Sequence, residues 1–144
     1  MKKLSKLLMA FVINIGLMST LAFAFPDGLW TATYYSEVSG GSGTQGICIV
    51  ADGTWYSTTF PAWSGKWYRK GNDVHIHGNY AAGAGNDAWE LTRISNSLIT
   101  GYWQEWSDDG TFDNYLTVRF NKDSATCPAA PQGAPLTSSP SAGQ

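Results

Sequence analysis

The sequence has few charges, few cysteines and few long apolar runs. Charged residues make up 14% of the 144 residues, there are two cysteines, and one long apolar run, Leu7 to Leu21, lies near the N-terminus. Coiled coils, helical bundles and disordered chains carry a different, more charged composition, so these classes are excluded. Glycine and aromatic residues are abundant instead, with 16 Gly, 7 Trp and 7 Tyr. This composition is typical of short strands joined by tight turns.

The N-terminal segment has the three parts of an export signal. Met1 to Lys6 is basic, Leu7 to Leu21 is apolar, and Ala22-Phe23-Ala24 has the small-x-small pattern of a cleavage site. The apolar run is interrupted by Asn14 and is shorter than the roughly 20 residues of a membrane-spanning helix. We therefore expect residues 1–24 to be a signal peptide that is removed, an uncleaved anchor being the alternative. The mature protein is expected to be periplasmic or secreted, with no membrane anchor after signal removal.

The mature chain is acidic. Removal of residues 1–24 takes three lysines with it and leaves six Lys and Arg against eleven Asp and Glu, a formal charge of -5. The one basic cluster is Lys66, Arg69 and Lys70. Partners rich in phosphate require a clustered basic face. Nucleic acid and anionic membrane surfaces are therefore not expected as partners.

The two cysteines, Cys48 and Cys127, both lie in the mature chain. Disulfides persist in export compartments, so one bridge between them is predicted, with two free thiols as the alternative. Such a bridge would close a loop of about 80 residues and contribute about 4 kcal/mol in the chain-entropy model. The Pro/Ser/Ala/Gly-rich residues 128–144 that follow are predicted to be a disordered tail.

Eight short runs rich in aromatic and β-branched residues alternate with Gly, Asn and Asp turns. Connections such as Asp52-Gly53 are too short to hold a helix of ordinary length. Eight sequential antiparallel strands either stack as a sandwich or close, and uniform short links favour closure. We therefore predict one all-β domain, residues 25–127, folded as an eight-stranded antiparallel up-and-down barrel. The predicted strands are Leu29–Ser36, Thr44–Val50, Thr54–Phe60, Ser64–Arg69, Asp73–Tyr80, Ala88–Ile94, Leu98–Trp106 and Asn114–Asn121.

Alternation along each strand assigns side chains to the inside or the outside of the barrel. In the seventh strand the assignment is ambiguous, because Tyr102 and Trp103 belong to opposite faces and either set is apolar. The large inward aromatic side chains interlock to fill a narrow barrel or line a flat cavity open at one end, and we take the second as the working hypothesis. Mid-strand glycines such as Gly65 and Gly78 mark barrel corners or the close approach of another group. The candidate ligand-binding residues are Trp30, Tyr34, Trp67, Trp89 and Trp103.

The sequence contains four aromatic doublets. Because adjacent side chains in a strand point to opposite faces, one ring of each doublet lies on the outer wall. Such rings either form cross-strand pairs that stabilise the sheet or group into an interaction face for a protein or a sugar ring. The doublets are Tyr34-Tyr35, Trp55-Tyr56, Trp67-Tyr68 and Tyr102-Trp103.

Gly28-Leu29-Trp30 opens the first strand, and Arg119 lies in the last strand beside Phe120. These two features resemble the lipocalin-like (calycin) barrels. In lipocalin-like proteins the Trp of a G-x-W motif packs under a basic residue near the final strand. The resemblance implies an eight-stranded barrel whose mouth or loops bind something. Small bacterial inhibitors of secreted metalloproteases are similar short barrels, but the wide spacing of the cysteines departs from their local bridge, and no inhibitory residue is carried over.

One arrangement of side chains in the sequence could support catalytic chemistry. His75 and His77 share an outward face about 6 to 7 Å apart. Glu90 joins them if Ile76 lies opposite Leu91, which would make a His-His-carboxylate metal site. The alternatives are two solvated histidines or a cross-strand ion pair. No nucleophile elbow, phosphate loop or Cys-x-x-Cys motif is present.

From these observations we expect a non-catalytic exported β-barrel that binds a small apolar or planar ligand. No cofactor is expected. The alternative is a protein-binding inhibitor or immunity-type module that acts on an exported hydrolase through loops and outer aromatic residues.

Overall fold

Alternating apolar residues and glycine-rich turns produce eight strands in a computed structural model of the protein, which describes residues 27–81 and 85–131 and, for residues 80 and 81, the backbone alone. Each strand pairs antiparallel with the next, and β8 pairs back on β1 to close the barrel. The predicted fold class is confirmed. The strands are β1 Gly28–Ser36, β2 Ser42–Ile49, β3 Thr54–Ser57, β4 Ser64–Lys70, β5 Asp73–Ala81, β6 Gly85–Ser95, β7 Leu98–Ser107 and β8 Phe112–Ser124.

The strand β3 is shorter than predicted. This strand ends at Ser57 and not at Phe60, because the Ser57 hydroxyl accepts hydrogen bonds from the backbone N–H groups of Thr59 and Phe60 and turns the chain. Residues 58–63 therefore form a loop over one end of the barrel. The strand β6 begins at Gly85, three positions before the predicted start, which brings Asp87 into the sheet.

The core lies inside the barrel and follows the predicted alternation. In β7 the ambiguity is resolved, since Trp103 is buried and Tyr102 is exposed. Tyr34, Trp63 and Trp67 are partly buried and pack against the core. The fully buried apolar side chains include Trp30, Ala32, Ile47, Ile49, Trp55, Val74, Ile76, Trp89, Leu91, Ile99, Trp103, Leu116, Val118 and Phe120.

Gly65 and Gly78 face each other across β4 and β5. A Cβ atom on Gly65 would lie 2.0 Å from the His77 carbonyl oxygen, and one on Gly78 would lie 2.2 Å from the Ser64 carbonyl oxygen. The indole of Trp55 occupies the space beside Gly65 and donates a hydrogen bond to the His77 carbonyl oxygen at 3.0 Å. The prediction of a close approach at mid-strand glycines is confirmed at this pair.

The basic residue that packs on Trp30 is Lys122 and not Arg119. Lys122 shares the inward face of Val118 and Phe120 and pairs with Trp30 in the same register as the rest of β1. Its Nζ lies 5.5 Å from the centre of the indole ring. Arg119 is exposed and donates to the Asn121 side chain. Arg119 shares the strand face opposite Val118 and Phe120, which directs it to the outside.

The predicted Cys48–Cys127 disulfide is present, with a Cα–Cα distance of 5.6 Å. Cys48 is on the outer wall, as its neighbours Ile47 and Ile49 point inward, yet it is fully buried because the chain after β8 covers it. The Tyr56 hydroxyl donates to the Pro128 carbonyl oxygen in the same region. We refer to this end of the barrel, with Trp30, Trp67 and the disulfide, as the disulfide end.

Two predicted segments lie largely or wholly outside the described residues. The signal peptide, residues 1–24, is outside them entirely, and of the predicted tail only residues 128–131 are described. Among the residues that the structure describes, none belongs to a helix able to cross a membrane.

Candidate functional site

Polar side chains replace apolar ones on the inner face of the barrel at the end opposite the disulfide. Asp87 precedes Trp89 on the inward face of β6, and Glu105 follows Trp103 on the inward face of β7. The two carboxyl residues are direct cross-strand partners, so their Cβ atoms stand about 5 Å apart. We refer to this region as the acidic end.

Asp87 is buried without a hydrogen-bond partner. Its side chain is 3% exposed, and neither carboxylate oxygen has a partner among the described residues. Burial raises its pKa to about 7, against a smaller lowering by the nearby Trp89 indole, and Glu105 raises it further. The Trp89 N–H is thus oriented toward the carboxylate, but its contact does not reach ordinary hydrogen-bond geometry. A buried carboxyl group that is so poorly satisfied marks a candidate functional site.

Glu105, the cross-strand partner of Asp87, is half-buried. Burial raises the pKa of Glu105, the side chain of Asn114 lowers it by hydrogen bonding, and the charge of Asp113 raises it. Asn114 is itself held by the Ser36 hydroxyl, which donates to its Oδ1 at 2.6 Å. The orientation of Glu105 is therefore fixed by β8 and β1 as well as by its own strand.

Aromatic rings border the two carboxyl groups. The Trp89 and Trp103 rings lie 4.4 Å apart, and Tyr34 and Trp63 meet Trp103 edge to face at 5.4 and 5.7 Å. The indole N–H groups of Trp89 and Trp103 are buried without a hydrogen-bond partner among the described residues. Burial raises the pKa of Tyr34, and the charge of Glu105 adds to the effect. The site therefore combines apolar faces with unsatisfied donors and acceptors.

The loop of residues 58–63 covers this end. It is tied to β2, because the Gly46 N–H donates to the Thr59 hydroxyl at 2.9 Å and Thr58 N–H donates to the Gly46 carbonyl oxygen at 2.8 Å. Phe60 and Trp63 stack at 4.5 Å within the loop. Trp63 is half-buried, so it forms the rim of the site together with Tyr34 and Glu105.

The five predicted ligand-binding residues divide between the two ends. Tyr34, Trp89 and Trp103 come together at the acidic end. Trp30 and Trp67 lie toward the disulfide end, where the Trp67 indole donates to the Val50 carbonyl oxygen at 2.7 Å. Only the first three can therefore act on one ligand at the acidic end.

The strands β5 and β6 pair in a register different from the one that would assemble the candidate metal residues His75, His77 and Glu90. Leu91 lies opposite Val74, so Glu90 faces His75 while His77 faces Ala88. The His75 ring stacks on Tyr68 at 4.7 Å. Within residues 27–81 and 85–131, no three His, Cys, Asp or Glu side chains form a group that could hold a metal ion.

Asp87, Glu105 and Trp63 are not among the predicted site residues. Asp87 follows Gly85-Asn86, which has the composition of a turn, and this hid its place in a strand. Alternation along the two strands does place both carboxyl groups inside the barrel, because Asp87 shares the face of Trp89, and Glu105 shares the face of Trp103. Trp63 shares the inward face of Gly65 and Trp67 by the same rule.

The outer wall carries a second arrangement. A row of cross-strand neighbours, which we name the outer tyrosine row, consists of Tyr68, His75, Glu90, Tyr102, Thr117 and Tyr35. Its three tyrosines are about half exposed. Shallow grooves of about 330, 360 and 250 Å³ lie along it over β5 to β7, β6 to β8, and β8 to β2.

Comparison with known proteins gives similarity to solved structures but not to a family or a curated protein. No family model matches the chain, and no curated protein matches it. The barrel is similar to the solved structure of a redesigned β-barrel, with 17% sequence identity and a TM-score of 0.48, over 69% of this chain and 93% of the other.

Proposed function

We propose that the protein is a non-catalytic exported binding protein that takes a small planar ligand at the acidic end of its barrel. The observation that carries the proposal is the set of buried, unpartnered polar atoms beneath a half-buried aromatic rim. Asp87 and the indole N–H of Trp103 lack partners there. Native proteins seldom leave such atoms unsatisfied, and sites that bind ligands are a common exception.

The lipocalin-like resemblance supports the same proposal. The Gly28-Leu29-Trp30 motif opens β1, and a basic side chain from the last strand, Lys122, lies over the Trp30 ring. The resemblance implies a barrel that binds at its mouth or loops. We take the acidic end to be that mouth.

The ligand would make apolar contacts with the aromatic rim and a polar contact with the buried groups beneath it. A flat body would lie against the rings of Tyr34 and Trp63, with Trp103 beneath them, where aromatic contact contributes about 0.5 to 1.5 kcal/mol per pair beyond area burial. One polar atom of the ligand would reach Asp87 or the Trp103 N–H. No bond is made or broken in this scheme.

Native mass spectrometry of the protein purified gently from its own export compartment tests the proposal. We expect a small adduct that is released on denaturation, and quenching of tryptophan emission when the released compound is added back. Trp63→Ala should abolish that quenching. The matched control is Trp106→Ala, which removes a tryptophan that contacts Phe112 instead. Absence of an adduct, together with no quenching by a panel of lipids, flavonoids, haems and sugars, would contradict the proposal.

A second candidate function is binding of an exported protein, such as a hydrolase that the protein inhibits. The observation in its favour is the outer tyrosine row, because exposed tyrosines are enriched at protein interfaces. Co-purification of a stoichiometric protein that Tyr102→Ser releases, while Trp63→Ala retains it, would support this function. A partner lost only by Trp63→Ala would assign the contact to the acidic end.

A further inference from the structure

We infer that the ligand of the acidic end is a small organic cation, a protonated amine on a flat apolar body. This inference rests on the proposed function, since it names the chemical class that the same site would bind. It comes from three observations: paired carboxyl groups, an uncompensated charge, and aromatic faces beside that charge.

The first observation is the pairing of Asp87 with Glu105. They are cross-strand partners on the inward face, and Asp87 is 3% exposed while Glu105 is half-buried. Two carboxyl groups this close, in partly dry surroundings, favour a bound cation over a neutral or anionic group. An anionic ligand would add a third negative charge and is disfavoured.

The second observation is that no side chain of the described residues neutralises the pair. The groups that act on Asp87 are Trp89, Glu105 and backbone N–H groups, and the groups that act on Glu105 are Asn114 and Asp113; none of them is a Lys or Arg. The basic side chains have other neighbours, such as the Trp30 ring for Lys122 and Asn121 for Arg119. Asp87 is also an unpartnered polar side chain that is more than nine-tenths buried.

The third observation is the aromatic surroundings. The faces and edges of Tyr34, Trp63 and Trp103 meet around the rim at centroid distances of 5.4 and 5.7 Å. Ring faces attract cations, most strongly when the site is shielded from water. A metal ion lacks the apolar surface to use these rings, and among the described residues no three His, Cys, Asp or Glu side chains stand together to hold one. The combination therefore selects an amine with a planar hydrocarbon body.

Isothermal titration calorimetry with three probes that share one flat body tests the inference. The probes are 1-naphthylmethylamine, 1-naphthalenemethanol and 1-naphthoate, which are cationic, neutral and anionic at pH 8. We expect the amine to bind at least tenfold more tightly than the alcohol, and 1-naphthoate to bind most weakly. Glu105→Gln should weaken amine binding at least tenfold while leaving binding of the alcohol unchanged. Asp87→Asn should act in the same direction.

The matched control is Glu37→Gln, which removes an exposed carboxylate from the turn after β1 at the same end of the barrel. It should leave all three affinities unchanged, and circular dichroism should show that each variant is folded. Equal binding of amine and alcohol would overturn the cation inference and keep the proposed function. Failure of all three probes, together with the absence of an adduct in the native protein, would overturn both.

Discussion

The two ends of the barrel differ in how fully their buried polar groups are hydrogen-bonded. At the disulfide end, the Trp67 indole donates to Val50, Lys122 lies over Trp30, and the disulfide ties the chain after β8 to β2. At the acidic end, Asp87 and the Trp103 indole are buried without partners among the described residues. Unsatisfied buried groups reduce stability. The disulfide end is thus arranged for stability, and the acidic end keeps polar atoms free at a cost in stability.

The largest effect is expected from opening the disulfide end. Replacing both cysteines, Cys48→Ala and Cys127→Ala, should lower the free energy of unfolding by about 4 kcal/mol, because the unfolded chain loses a long covalent loop. Probe binding at the acidic end should not change under conditions in which the variant is folded. Urea denaturation measures the first effect and calorimetry the second.

Tyr56→Phe is the control for the cysteine variant. It removes only the hydrogen bond to the Pro128 carbonyl oxygen, so it should cost about 1 kcal/mol. If the cysteine variant lost no more stability than Tyr56→Phe, the stabilising role of the disulfide end would be wrong.

The next effect concerns the buried carboxyl group at the acidic end. Its pKa is about 7 in the folded protein against 3.8 for the unperturbed group, so the folded state holds the proton more tightly than the unfolded state. Asp87 therefore lowers stability progressively as the pH rises from about 4 to about 7. The full difference is up to about 4 kcal/mol. The half-buried Glu105, whose pKa is also raised, acts in the same direction.

Asp87→Asn should remove this dependence. We expect the variant to be more stable than the parent at pH 8 and to lose that advantage near pH 4, as measured by urea denaturation across the pH range. Asp109→Asn serves as the opposite control, because hydrogen bonds from Thr111 lower the pKa of Asp109. That variant should lose stability at neutral pH. Parallel stability curves for the parent and Asp87→Asn would contradict the assignment.

A smaller effect is expected where β4 and β5 approach most closely. Gly78→Ala places a methyl group against the Ser64 carbonyl oxygen and the Gly65 Cα atom. We expect a loss of about 1 to 3 kcal/mol and weaker probe binding, because Gly78 is the cross-strand partner of Asp87 and a shift of its backbone would move that residue. Gly41→Ala, in an exposed turn beside the Ser39 side chain, should change thermal stability little. Similar melting temperatures for the two variants would show that the close approach has no energetic consequence.

The fold was predictable because it depends on periodicity. Strand count, antiparallel order, the disulfide and most inward residues follow from alternation and turn composition. The register between strands does not, since a slip of two residues keeps every side chain on its own face, whereas a slip of one would invert the faces. This is why the Glu90 partner is His75 and not His77. Arg119, in contrast, is kept away from Trp30 by alternation alone, because it lies on the outward face of β8.

The site was only half predictable for a related reason. Alternation predicts that Tyr34, Trp89 and Trp103 point inward. That they lie at a different end of the barrel from Trp30 and Trp67 depends on the stagger between neighbouring strands. Asp87 was missed because its neighbours have turn composition, although it lies in β6. Local composition favoured a turn there, and tertiary pairing with Gly78 and Glu105 determined the outcome.

The smallest effect isolates the indole N–H groups that distinguish the two ends. Replacing a tryptophan by 3-benzothienylalanine keeps its shape and removes the N–H. At position 67 this should cost about 1 kcal/mol, since the Val50 carbonyl oxygen loses its donor. At position 103 the N–H has no partner to lose, so the free energy of unfolding should be unchanged or slightly higher. Urea denaturation of the two variants makes the comparison, and an equal loss at both positions would mean that the acidic end satisfies its donors as fully as the disulfide end does.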